Sequence, residues 1–69
     1  MSPTFSDMYD DVAVQELVRV VWRQRDLGVT WDQIEANLER LEEEAECTLD
    51  EDERQTFLDG VHEMIEEHS

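Results

Sequence analysis

Lysine is missing from this chain, and its 69 residues hold one cysteine, one proline and two glycines. Each scarcity closes a route. With Cys47 alone no internal disulfide can brace the fold. No cysteine–histidine cluster offers a structural zinc site either. A Cys47–Cys47 bond between two chains is the only bridge available, and a buried, idle thiol is the expected state. No apolar run approaches the length of a membrane span. The opening stretch MSPTFSDMYDD has no basic residue and no uninterrupted apolar segment, so it does not read as a secretion signal. The expected protein is soluble and cytoplasmic, either cellular or virus-encoded inside a host cell. Pro3 keeps residues 1–5 out of a helix, and a short disordered lead is expected there.

Positive charge is scarce as well. Twenty acidic residues face five arginines, giving a net charge of −15 and a pI near 4.1. Such a field repels nucleic acid and anionic lipid, and it attracts basic protein surfaces. Neither direct nucleic-acid binding nor membrane association is expected. The charge is also uneven. Residues 1–30 hold five acids against Arg19, Arg23 and Arg25, a net of −2; residues 31–69 hold fifteen against Arg40 and Arg54, a net of −13. Adaptation to high salt should spread carboxylates more evenly, so the polarity favours a binding face.

A chain this short forms one domain and buries only about 60 % of its unfolded surface, which leaves a marginal core. Self-association or a partner is the expected supplement.

What the chain does have is one long apolar segment, VAVQELVRVVW at residues 12–22. Wound as a helix it is apolar over roughly twice the ~100° that one neighbour would cover. A strand competes, since Val12, Val14, Val18, Val20 and Trp22 also alternate. The 14–17–18–21 spacing and an acidic first turn of Asp7, Asp10 and Asp11 decide for a helix over about 7–26, capped by Ser6. Gly28 stands where a left-handed residue ends a helix. Thr30 and Gln33 then make a capping box, with Val29 and Ile34 placed as a hydrophobic staple. The second helix, about 31–46, carries a seam of Trp31, Ile34, Leu38, Leu41 and Ala45. Thr48 with Glu51 repeats the capping pattern before a third helix at about 49–67, whose seam is Leu58, Val61 and Ile65, widened by Phe57 and Met64. Gly60, in mid-helix, is either simply tolerated there or marks the close approach of another backbone, read as a subunit contact near Met64. The expected fold is an all-α three-helix bundle with the first helix central, self-associating as a homodimer.

Chemical motifs do not survive inspection. A calcium loop counted from Asp50 has Arg54 fifth, Gln55 sixth and Val61 twelfth, where ligand oxygens, glycine and glutamate belong. His62-Glu63 begins like a zinc-protease helix, but four residues after His62 stands Glu66. The helix-turn-helix look of residues 16–66 lacks basic groups on its second and third helices. No feature picks an acid from a base among the carboxylates, and no cofactor is implied. A non-enzymatic protein is expected.

Two partner-binding regions follow. One is the apolar arc left over on the first helix, Met8, Val18 and Trp22, assigned to a homodimer contact. The other is the acidic corner, where eight of the twelve residues 42–53 are carboxylates: Glu42, Glu43, Glu44, Glu46, Asp50, Glu51, Asp52 and Glu53. Arg19 and Arg23 are expected to pair with acids of the second or third helix. The leading functional reading is a regulator or inhibitor that engages a basic protein surface, with imitation of the DNA backbone as its limiting case. The alternative is a small structural or assembly subunit from a halophile, whose acidity only maintains solubility.

Overall fold

The computed structural model describes residues 4–68, and every regular element among them is helical. There are five helices: α1 (Phe5–Tyr9), α2 (Val12–Asp26), α3 (Trp31–Ala36), α4 (Leu38–Ala45) and α5 (Glu51–Glu67). The all-α expectation holds. Each of the first two expected helices is broken once, and the third starts later than expected.

The break between α1 and α2 is made by aspartate chemistry. Asp11 has an extended backbone, ψ 127°, and its side chain accepts from the Ala13 amide at 2.9 Å, so it caps α2 instead of lying inside a longer helix. Thr4, not Ser6, caps α1, its hydroxyl accepting from the Asp7 amide at 3.2 Å. The expected lead therefore has to be corrected at its end. Met1–Pro3 lie outside the described residues, but Thr4 and Phe5 are structured. Phe5 sets its ring against Phe57, 6.1 Å between centroids, and fills the space over Gly60, where a Cβ would collide with it. Gly60 thus receives a side chain of its own chain, not the backbone of another subunit.

α2 is the centre, as expected, touching α1, α3, α4 and α5. Its valines cost at most ~0.7 kcal/mol each in helix propensity. Burial of Val14, Val18 and Val21 returns about 1.5 kcal/mol or more apiece, so packing wins. Around them close Leu17, Ile34, Leu38, Leu41, Phe57 and Val61. Phe57, rather than Leu58, forms the centre of the α5 seam with Val61 and Ile65, while Leu58 and Met64 are half-buried.

α2 ends as expected. Gly28 is left-handed, φ 89°; its amide bonds to the Arg25 carbonyl and the Val29 amide to the Gln24 carbonyl, both at 3.0 Å. Thr30 caps α3 by accepting from the Gln33 amide at 3.2 Å. Asn37 then interrupts the expected second helix. Its backbone, φ −106° and ψ 13°, leaves the helical region, and its side-chain amide donates to the Gln33 carbonyl at 2.8 Å.

Candidate partner-binding surface

The acidic corner between α4 and α5 is built around one carboxylate that faces inward. Glu42 is 4 % exposed, the only charged side chain in the core of the described residues. Its Oε1 accepts from the Leu49 amide at 2.7 Å, and its Oε2 accepts from Arg54 Nε at 2.9 Å. Arg54 also reaches Glu39, 3.6 Å away. Charge-assisted bonds of this kind are about twice as strong as neutral ones. They tie the end of α4, the connecting segment and the first turn of α5 into one unit.

The backbone turn that allows this runs through Glu46, left-handed at φ 54° and ψ 39°. The Cys47 amide bonds to the Glu42 carbonyl at 2.9 Å and the Glu46 amide to the Glu43 carbonyl at 3.2 Å, the same pair of bonds that ends α2. A non-glycine residue in this conformation costs roughly 1–2 kcal/mol. α5 then begins on Asp50, not on Thr48. Asp50 Oδ1 accepts from the Glu53 amide at 2.8 Å, and Glu53 Oε1 accepts from the Asp50 amide at 3.1 Å.

The eight corner acids therefore divide by task. Glu42 belongs to the core, which corrects its place on an exposed face. Asp50 and Glu53 are engaged in the cap. Glu43, Glu44, Glu46, Glu51 and Asp52 are exposed and make no ion pair among the described residues. They project from a scaffold fixed from beneath.

Cys47 sits within this corner at 4 % exposure, as a free thiol. Burial pushes its pKa up, and the charges of Asp11, Glu42 and Glu53 push it further, so it stays protonated and unreactive at neutral pH.

The apolar arc expected on the first helix is not open. Met8 is 6 % and Val18 3 % exposed, both inside the core of the single chain, and α1, which carries Met8, packs on α2 and α5. Trp22 is half-buried beside His68, ring centroids 5.7 Å apart. Trp31, placed in the seam of the second expected helix, is also half-buried and works at the surface. Its indole N–H donates to Glu66 Oε1 at 3.0 Å, His62 stacks on it at 4.4 Å, and the Arg25 guanidinium lies 5.1 Å from its ring centre. This cluster ties α2, α3 and α5 together, and it occupies the His62–Glu66 pair weighed above for metal. No group of three or more metal-ligating side chains converges among the described residues.

Arg19 pairs with Glu16 of its own helix at 3.2 Å, not with α4 or α5, and Arg23 makes no ion pair among the described residues. Among the described residues no helix is long and apolar enough to cross a membrane. No protein-family model, curated protein or solved structure matches this chain.

Proposed function

We propose that the protein is a non-catalytic interaction module, a regulator or inhibitor, whose acidic corner engages a basic surface on a partner protein, with DNA mimicry as the limiting case. One observation carries this reading. Five carboxylates that are exposed and make no ion pair among the described residues stand on a corner tied together by the buried Glu42, which binds the Leu49 amide and a half-buried Arg54. Mutual repulsion among them is a standing cost, and a cationic partner relieves it. Fixed placement also spares the partner the ordering entropy that flexible acidic tails impose.

The test is retention of a host protein by the wild-type chain and by a variant carrying Glu43→Gln, Glu44→Gln, Glu46→Gln, Glu51→Gln and Asp52→Asn, with Glu42 intact. Exposed charges are screened within about 10 Å at 0.1 M salt, so retention should fall steeply as salt rises and be lost in the variant. Equal retention by both proteins, or indifference to salt, refutes the reading. The salt-adaptation alternative makes the opposite demand: helicity that develops only in molar KCl.

A further inference from the structure

The outward face of α2 carries a pattern that the fold uses only in part, through a half-buried Val20 at its edge and the Arg19–Glu16 pair. Val12 and Leu27 are 71 % and 70 % exposed, the most open of the large apolar side chains among the described residues. At 100° per residue, Val12, Glu16, Arg19, Val20, Arg23 and Leu27 fall in one stripe about 100° wide, away from the buried Val14, Val18 and Val21. Leu27 keeps a helical backbone as the C-cap, so the stripe runs on past Asp26 for a total of about 22 Å.

The stripe is its own complement when reversed. Lay a second copy antiparallel, with position 12 opposite position 27. Glu16 then meets the partner's Arg23, Arg23 meets the partner's Glu16, and Val12 meets the partner's Leu27 at both ends. We propose that this stripe is the contact of an antiparallel homodimer whose two-fold axis passes between residues 19 and 20. At the axis Val20 touches its copy on one flank. On the other flank Arg19 approaches its copy, each guanidinium held by its own Glu16 at 3.2 Å.

A second copy is the occupant because the charge complementarity is with the chain itself. Arg23 has no ion pair within the chain among the described residues. α2 holds Arg19, Arg23 and Arg25 against Glu16 and Asp26, so two chains of net charge −15 meet through a helix of net +1. Glu44 borders the stripe beside Val20 and Leu27. The contact uses none of Glu43, Glu46, Glu51 and Asp52, so it does not rest on the function proposed above. A single-helix contact falls at the small end of interfaces, below about 1,200 Å², where weak and transient associations lie.

Sedimentation equilibrium of the full chain near physiological salt tests it. Glu16→Arg alone sets arginine against arginine twice, and Arg23→Glu alone sets glutamate against glutamate twice; each should weaken self-association at least tenfold. An equimolar mixture of the two variants restores both ion pairs, and a heterodimer should form. Arg19→Ala removes the like charges at the axis and should tighten the dimer several-fold. All three positions are exposed, so circular dichroism should show unchanged helicity. A wild-type chain that stays monomeric to about 1 mM overturns the proposal. A mixture of the two charge variants that stays monomeric overturns it too, and a dimer weakened by Arg19→Ala overturns the two-fold register. Retention of a basic partner by the monomeric Glu16→Arg variant would show that the acidic corner acts without the dimer.

Discussion

Two corners of this chain close with the same backbone hydrogen bonds and opposite chemistry. After α2 the left-handed position is Gly28, and Arg25 steadies the turn by donating from Nη1 to the Val29 carbonyl at 2.8 Å. After α4 the left-handed position is Glu46, and a carboxylate, Glu42, steadies the turn by accepting from the Leu49 amide. The first corner uses the residue that adopts this conformation without strain. The second imposes the conformation on a glutamate and holds it with a buried charge. The contrast shows that the acidic corner is stabilised from inside the fold, not by local preference.

Removing that charge should have the largest effect. Glu42→Ala leaves Arg54 without its close partner and the Leu49 amide buried and unpaired, and should cost about 3 kcal/mol or more in urea unfolding. Glu42→Gln keeps the shape and one acceptor, and should cost about half as much. If Glu42→Ala costs no more than a surface substitution, the inward clasp is not what holds the corner.

Exchanging the left-handed residues sharpens the comparison at smaller amplitude. Glu46→Gly should stabilise the protein by about 1 kcal/mol and Gly28→Ala destabilise it by about 1 kcal/mol, both read as shifts in thermal midpoint. The space around Gly28 is open, so its loss reports backbone strain alone. Equal signs for the two changes would contradict the shared geometry.

The smallest effect concerns the residue that follows each left-handed position, Val29 in one corner and Cys47 in the other. An unfolded thiol ionises near its ordinary value of 9.0, whereas folded Cys47 holds its proton to higher pH because of burial and the nearby carboxylates. Stability is therefore intact below pH 9.0, declines as pH rises toward the folded value, and levels off beyond it. Cys47→Ala should remove that alkaline decline, measured as unfolding free energy against pH.

Much of the α2 corner was legible in the sequence, since glycine, valine and a Thr-x-x-Gln pattern act within a few residues of one another. The α4 corner was not. Thr48 with Glu51 and Asp50 with Glu53 are overlapping capping patterns of equal local merit. The choice is made by Glu42, seven residues back, which takes the Leu49 amide and so holds Leu49 outside the helix. Asp10 and Asp11 look like first-turn acids in the sequence for a similar reason. Any nearby aspartate can serve as cap or as first-turn charge, and here Asp11 takes the cap while Phe5 packs on α5. Charge counting alone places Glu42 on the surface with its neighbours; its burial and its bonds to the Leu49 amide and Arg54 show that it points inward. The buried seams of α2 and α4 were readable because periodicity reports burial directly. The assignment of Met8 and Val18 to an open arc failed because no local signal told that both would be drawn into the core of the single chain.

Phe5 resting in the notch of Gly60 makes two distant positions a single unit of inheritance. A side chain added at 60 evicts the ring, and a ring lost at 5 leaves a hollow beside Phe57, so drift at one site is tolerated only with a matching change at the other. Homologues that keep this fold should exchange bulk between the two positions, large against small in either order, and so record in sequence the fold-back of the first five-residue helix.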